Sequence, residues 1–188
     1  MADAAERLWS PQEYLSWERQ QPTKHEYIDG AIVAMAGASI EHNTIVANIL
    51  GELRSALRNK ACRVLASDMR VKIPATHRYR YPDASIACDP IAYEDSAGDT
   101  LLNPTVLVEV LSESTELEDR TDKFRDYRSI PSFREYLLVA QDEPRVEHYI
   151  RQESALWTYR DAAAGDVLTL ASCGVDLRVE ELYLKVFS

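Results

Sequence analysis

A glutamate stands in the middle of an apolar run, TVLVEVLS, at residues 105–112. On strand alternation Glu109 shares one face with Leu107 and Leu111, and valines fill the other face, so the run predicts a central β-strand covered on both sides. A carboxylate in that position requires a cation, a metal ion or a proton. The alternatives are a half-exposed edge strand and a structural ion pair with an arginine.

A second carboxylate, Asp83, follows Tyr81-Pro82 and opens the apolar run ASIAC. Taken alone, an aspartate after a proline is typical of a turn or a cap. If Asp83 and Glu109 lie on neighbouring strands, however, they form a hard-oxygen site of the kind that Mg²⁺ or Mn²⁺ accepts. A metal ion held there activates water and stabilises the transition state of phosphoryl transfer. The pair therefore predicts a metal site with Asp83 and Glu109 as ligands.

The segment after Glu109, ELEDRTDKFRDYRSI, predicts a helix that carries three further groups. Asp119, Lys123 and Tyr127 are four residues apart and line one helix face. If the helix starts beside Glu109, Lys123 is placed to orient and help deprotonate a water. The alternative for all three is an exposed amphipathic surface.

Three other polar residues are weaker candidates. Glu26, in the first predicted hairpin, is either an auxiliary acid of the site or a surface glutamate. His42 faces inward on the second predicted helix, as a hydrogen-bonded core histidine or as a contact to phosphate. Asp68 belongs to a polar strand face or approaches the site from a neighbouring strand.

Composition and charge limit the classes of protein. The 188 residues predict a single domain, 1–188, and the hydrophobic content of 46% is that of a globular protein. The formal charge of −10 disfavours partners held mainly by phosphate contacts. The segment 69–82, MRVKIPATHRYRYP, is nevertheless basic, and is either a solvated hairpin or a ribbon that touches a polyanion.

Other features of the sequence point to a cytoplasmic protein without nucleotide or zinc chemistry. We expect neither a signal peptide nor a membrane span, and therefore a cytoplasmic location. Cys62, Cys88 and Cys173 form no CxxC pair, so we expect small buried side chains rather than a disulfide framework or a zinc site. The P-loop, GxGxxG, GxSxG and HExxH motifs are absent, which disfavours nucleotide-driven, dehydrogenase, serine-hydrolase and zincin functions.

The predicted elements indicate an α/β (α+β) fold. Helices are predicted at 10–21, 40–58 and 116–129, the first started by a capping box of Ser10 and Glu13 and the last stopped by Pro131. Asp29-Gly30 predicts a hairpin turn. Strands are predicted at 62–73, 79–88 and 105–111, followed by hairpins to the end of the chain. We therefore expect a mixed sheet flanked by helices, with extra antiparallel hairpins.

One order of motifs resembles a known family. Glu26 in HEYIDG, then YPD, then VEVLSEST followed by DRTDKFRDY is similar to the Uma-two family, whose members are restriction-endonuclease-like proteins of the PD-(D/E)XK nuclease superfamily. The resemblance implies a restriction-endonuclease-like core with Asp83 and Glu109 in the metal-ligand positions. The superfamily pattern has a lysine two residues after the glutamate, where this chain has Leu111, so Lys123 becomes the candidate catalytic lysine.

The resemblance implies a Mg²⁺-dependent endonuclease that hydrolyses DNA phosphodiester bonds, with Lys123 and Glu26 as catalytic residues and a homodimer by analogy. His42 joins the candidate catalytic residues because of its inward position on the helix. Two alternatives remain. One is a non-catalytic module that binds nucleic acid or protein and retains the nuclease fold, and the other is a hydrolase of a different phosphate ester.

Overall fold

A computed structural model describes residues 7–153 and 156–187. The chain begins with helix α1 (Pro11–Glu18), whose capping box joins Ser10 and Glu13 as the sequence predicts. Strands β1 (His25–Ile28) and β2 (Ala31–Ala34) then form a hairpin. Its turn has positive φ angles of 51° at Asp29 and 92° at Gly30, which suits the Asp-Gly pair.

Helix α2 (Ile40–Ala56) is the long predicted helix, and Ser39 caps it. The two strands predicted after it are each divided in two. The first is interrupted by a turn and becomes β3 (Cys62–Ala66) and β4 (Arg70–Ile73). The second becomes β5 (Arg78–Arg80) and β6 (Ala84–Cys88), because Tyr81-Pro82-Asp83 breaks the strand.

The later elements complete the fold. They are β7 (Thr100–Leu101), β8 (Val106–Val110), α3 (Glu116–Glu118), a π-helical turn (Asp119–Lys123), α4 (Phe124–Arg128), β9 (Glu135–Val139), β10 (Arg145–Arg151), β11 (Trp157–Ala163), β12 (Val167–Leu170), β13 (Val175–Arg178) and α5 (Val179–Leu182).

Three sheets organise these strands. A five-stranded sheet has the order β2-β1-β5-β4-β7, a six-stranded sheet has the order β11-β10-β9-β8-β6-β3, and β12 pairs with β13. Both larger sheets are mixed, since β4–β7 and β8–β9 are parallel pairs. The mixed sheets, the flanking helices and the C-terminal hairpins confirm the predicted fold class.

Strand β8 is fully buried at the centre of the six-stranded sheet, as predicted. Val106, Val108 and Val110 belong to one hydrophobic core, which α2 covers. Leu107 and Leu111 belong to a second core on the opposite face, where Tyr127 also packs. The predicted alternation of faces along this strand is therefore confirmed.

One expectation about the cysteines is wrong. Cys62 and Cys88 are direct partners in the β3–β6 register and form a disulfide bond. Their separation of 26 residues gives no sequence signal for this pairing, which arises from the antiparallel register alone. Cys173 is a free, buried thiol, as expected. Among the helices of the described residues, none combines the length and apolar character needed to span a membrane.

Candidate functional site

Glu109 is buried, with 3% of its surface exposed, and its polar contacts converge on one oxygen. The Tyr127 hydroxyl donates a 2.8 Å hydrogen bond to Oε1, and the Lys123 ammonium lies 3.3 Å from the same atom. Burial raises the pKa of Glu109 well above its usual range, and the charges of Asp119 and Asp83 raise it further against the opposing effect of Lys123. Burial and the two neighbouring carboxylates therefore disfavour the charged form of Glu109, and Lys123 offsets only part of this effect.

Lys123 lies between two buried carboxylates. Its Nζ atom is 2.8 Å from Asp119 Oδ1 as well as 3.3 Å from Glu109, and only 9% of its side chain is exposed. Burial lowers the pKa of Lys123, but the charges of Glu109 and Asp119 outweigh this and raise the pKa above its ordinary value. Lys123 is therefore held as a cation inside the protein.

Lys123 lies at the end of the π-helical turn, and Tyr127 lies one helical turn later in α4. Side chains four residues apart lie on the same helix face, and both of these reach the same Glu109 oxygen. π turns of this kind are frequent at functional sites.

Asp83 lies opposite Glu109. Strands β6 and β8 pair Ala84 with Val108, so the antiparallel register continues to Asp83 and Glu109. Asp83 Oδ2 accepts a 2.7 Å hydrogen bond from the Val110 backbone N–H, which fixes the carboxylate at the end of β8. The break before β6 thus brings the Asp83 carboxylate to the end of β8, next to Glu109.

His42, at the start of α2, contacts this carboxylate from the other face of the sheet. Its Nε2 atom lies 3.2 Å from Asp83 Oδ2, and 14% of the His42 side chain is exposed. Burial lowers the pKa of His42, but the hydrogen bond to Asp83 and the negative charges of Asp83 and Asp119 give a net increase. The inward orientation predicted for His42 therefore has a specific partner.

Glu26 is buried rather than on the surface, and it binds Arg80. Arg80 Nη1 donates to Glu26 Oε2 over 2.6 Å, and the Tyr81 backbone N–H donates to Glu26 Oε1 over 3.1 Å. Arg80 is 1% exposed and also pairs with Asp126 and Glu118, so it joins β1 and β5 to the helices beside Lys123. The charge of Glu26 contributes to the raised pKa of Lys123.

Two observations test whether these residues fit a divalent ion. First, the described residues form no hydrogen bond or ion pair with Asp83 Oδ1 or Glu109 Oε2, since the contacts above use the other oxygen of each. Second, Lys123 is shared between the carboxylates of Glu109 and Asp119, and the charge of Asp83 adds to the raised pKa of Glu109. Hard oxygens and excess negative charge suit Mg²⁺, which usually keeps several waters and takes only one or two protein carboxylates. The described residues hold no group of three or more His, Cys, Asp or Glu side chains arranged to bind a metal ion.

Two of the alternatives that the sequence left open do not match the structure. Asp68 lies in the turn after β3, has 94% of its side chain exposed and pairs with Lys24, so it is not part of the site. The basic segment 69–82 is not available to a polyanion, because its arginines and its lysine are bound internally. The pairs are Arg70–Asp99, Lys72–Glu94, Arg78–Asp29, Arg78–Asp126 and Arg80–Glu26.

Sequence reasoning missed the role of Arg80 and left Asp119 and Tyr127 undecided. The alternation in RYR suggests an exposed ribbon, whereas Arg80 is among the largest fully buried side chains of the described residues. The four-residue spacing of Asp119, Lys123 and Tyr127 was the available signal, and the structure brings all three to Glu109 or its neighbours.

A family model and two related proteins match most of the chain. Residues 11–180 match the model of the Uma2 family, which is described as "Putative restriction endonuclease". The uncharacterized protein slr1290 of Synechocystis sp. is 37% identical over 93% of this chain and 90% of its own length. A second uncharacterized Synechocystis protein, sll1609, is 35% identical over 84% of this chain and 89% of its own length.

A solved structure shows the same fold. The crystal structure of a protein from Anabaena variabilis, described as a putative nuclease belonging to DUF820, superposes with a TM-score of 0.74. The match covers 95% of this chain and 99% of that chain at 17% sequence identity. At this level of identity the match supports the fold.

Proposed function

Because the chain belongs to the Uma2 family of restriction-endonuclease-like proteins, we propose that it is a metal-dependent endonuclease that hydrolyses DNA phosphodiester bonds. The observation that carries the proposal is the cluster at the end of β8. There Asp83 and Glu109 lie opposite each other, each with one oxygen that the described residues leave unbound, beside the buried cation Lys123.

Asp83 and Glu109 are the residues that would hold the metal ion, Mg²⁺ or Mn²⁺. When bound, such an ion acidifies a coordinated water and neutralises charge that develops on the phosphate. Tyr127 and Lys123 hold Glu109 Oε1, so the other oxygen of Glu109 points away from them. His42 and the Val110 N–H hold Asp83 Oδ2 in the same manner.

Lys123 supplies a positive charge and hydrogen-bond donors. Its raised pKa favours a role in orienting the attacking water and stabilising the phosphate over a role as the proton acceptor. Glu26 acts indirectly, because it binds Arg80 and adds negative charge near Lys123. DNA as the substrate, a homodimer and a cytoplasmic location belong to the same proposal.

The test is a plasmid cleavage assay. Purified protein should nick or linearise supercoiled DNA with Mg²⁺ or Mn²⁺, and EDTA should stop the reaction. Asp83→Asn and Glu109→Gln should each reduce the rate at least about 100-fold, since each removes a metal ligand. Asp68→Asn is the matched control, because it changes an exposed aspartate outside the site and should leave the rate unchanged. Cleavage that survives both site substitutions would contradict the assignment.

One observation favours a second candidate, a non-catalytic module that retains the fold. Lys123 already pairs with Glu109 and Asp119, and Leu111 stands where the superfamily has its lysine. This alternative predicts that titration calorimetry detects no Mg²⁺ or Mn²⁺ binding to the folded protein. Binding that disappears in Asp83→Asn would exclude it.

A further inference from the structure

One exposed surface combines arginines with aromatic rings. It lies on the face of the six-stranded sheet that also carries Glu109, where β9, β10 and β11 extend beyond α4. The registers place Tyr149 opposite Tyr136 on one side and Tyr159 on the other, and they place Arg151 opposite Trp157. We call Arg128, Arg134, Arg151, Tyr149, Trp157 and Tyr159 the arginine–aromatic surface.

The rings of this surface pack in a continuous series around Phe124. Its ring centroid lies 4.8 Å from that of Tyr149 and 5.2 Å from that of Trp157. Tyr159 extends the series, 5.2 Å from Tyr149, and is 52% exposed. Tyr149 and Trp157 are half-buried, so their positions are fixed by packing while part of each ring remains exposed. Fixed, partly exposed rings are suited to stacking against a flat ligand.

The arginines beside these rings lack carboxylate partners. Arg151 donates to the Ile130 and Phe133 carbonyls, and the Arg128 guanidinium lies 5.1 Å from the Phe124 ring centroid. Arg134 is exposed and adjoins Arg151, since the Arg151 N–H donates to the Arg134 carbonyl. Among the described residues none of these three arginines forms an ion pair with a carboxylate, which leaves their charge available to an anion.

Other basic residues near this surface are paired. The next row of the same sheet face is neutralised by the pairs Arg120–Glu147 and Arg145–Asp161. The basic segment 69–82 is likewise bound internally. Arg128, Arg134 and Arg151 are the arginines of this sheet face that keep no carboxylate partner among the described residues, in a protein whose formal charge is −10. Unpaired positive charge therefore lies beside the exposed rings.

We propose that the arginine–aromatic surface binds single-stranded nucleic acid, with arginines on the phosphates and bases stacked on Trp157, Tyr149 and Tyr159. A backbone of regularly spaced phosphates with unpaired bases is the polyanion that matches both features, because stacking requires a base that is not already stacked in a duplex. An acidic protein segment would satisfy the arginines but would leave the aromatic rings without a matching partner.

The π-helical turn and α4 connect this surface to the candidate active site. Phe124 directly follows Lys123, and the Tyr136 hydroxyl donates to the Asp119 carbonyl. Along the strand direction of the sheet, Glu109 and Arg134 are separated by four residue positions, or about 13 Å. A single strand bound to the surface is therefore held near the site, but the proposal concerns binding and does not depend on cleavage.

The test measures binding of a fluorescent oligothymidine in EDTA, so that any cleavage activity has no influence. Arg134→Gln combined with Arg151→Gln should weaken binding at least 10-fold and reduce its salt dependence, because two phosphate contacts are lost. Arg54→Gln combined with Arg58→Gln is the matched control. These two exposed arginines of the α2 end also lack an ion pair among the described residues, and their removal should change affinity less than 2-fold.

A second measurement follows Trp157 directly. In a Trp9→Phe, Trp17→Phe variant, Trp157 is the single remaining tryptophan, and oligothymidine should quench its fluorescence. Three results would overturn the proposal: unchanged affinity of the Arg134, Arg151 variant, unquenched Trp157 fluorescence, or equal or tighter binding of a duplex or of polyglutamate. Failure of the plasmid assay leaves this result intact, and failure here leaves the proposed cleavage untouched.

Discussion

Two buried glutamates on adjacent parallel strands, Glu109 on β8 and Glu135 on β9, have opposite electrostatic environments. Glu135 is 1% exposed; its Oε2 lies 2.6 Å from His148 Nε2, and its Oε1 accepts a 2.8 Å hydrogen bond from the Ser172 N–H. Burial raises the pKa of Glu135, but the hydrogen bonds from His148 and Ser172 outweigh this and lower it below its ordinary value. The pKa of Glu109, in contrast, is raised.

The difference shows that partners, more than burial, decide what a buried carboxylate does. Glu135 has a hydrogen-bond partner for each oxygen, and no other carboxylate is among the causes of its pKa shift. Glu135 and His148 therefore form a structural pair. Glu109 shares one lysine with Asp119 and is also affected by Asp83. An incompletely balanced cluster of this kind is therefore a candidate functional site, and the balanced pair of Glu135 and His148 is not.

The largest expected effect comes from removing the cation that holds the Glu109 cluster together. Lys123→Met leaves two buried carboxylates without their common partner, and breaking a buried ion pair from one side costs about 3–5 kcal/mol. Denaturant unfolding without divalent ions should show this loss, and added Mg²⁺ should recover part of it by replacing the missing positive charge.

Arg125→Met is the control for that substitution. Arg125 lies in the next turn of the same helix and pairs with Asp122, but its side chain is 62% exposed. An exposed pair contributes only about 0–1 kcal/mol. Equal destabilisation by both substitutions would mean that Lys123 has no special role in balancing the buried carboxylates.

The second prediction compares the two glutamates directly. Without divalent ions at pH 7, Glu109→Gln should increase the free energy of unfolding, because it removes charge that the folded state holds at a cost. Glu135→Gln should decrease it by about 1–3 kcal/mol, because charge-assisted hydrogen bonds are lost. Unfolding of both variants by urea checks the signs, and a change of the same sign in both would remove the proposed contrast.

The pH dependence of these two effects also differs in sign. The raised pKa of Glu109 means that its contribution to stability is fully present below its ordinary pKa of 4.5 and is lost as the pH rises above it. The lowered pKa of Glu135 means that its contribution is present above pH 4.5 and is lost as the pH falls below it. The benefit of Glu109→Gln should therefore grow above pH 4.5, and the cost of Glu135→Gln should shrink at more acidic pH.

The contrast also explains what could be predicted from the sequence. Glu109 was identifiable because it interrupts an apolar strand. Asp83 was identifiable because it follows a proline and directly precedes the apolar strand β6. Local pattern is sufficient for such features, as it was for the Ser10 cap and the Asp29-Gly30 turn.

Features that depend on register or on distant partners could not be predicted. The Cys62–Cys88 bond requires the β3–β6 register, and the internal pairing of Arg80 requires carboxylates from three separate segments. The division of residues 62–73 and 79–88 between two sheets likewise depends on tertiary packing, which outweighs strand propensity.

The smallest expected effect concerns the hydroxyl that orients Glu109. Tyr127→Phe removes the 2.8 Å hydrogen bond to Oε1 and should cost about 1 kcal/mol of stability, the usual contribution of one buried hydrogen bond. We expect it also to weaken Mg²⁺ binding several-fold in titration calorimetry, because the unbound oxygen of Glu109 is no longer held in one direction.

Tyr14→Phe is the control. It removes a comparable buried hydroxyl, bonded to the His25 carbonyl over 2.6 Å, and should reduce stability similarly without changing metal affinity. If both substitutions leave Mg²⁺ affinity equal, Tyr127 only stabilises the fold and does not orient the ligand.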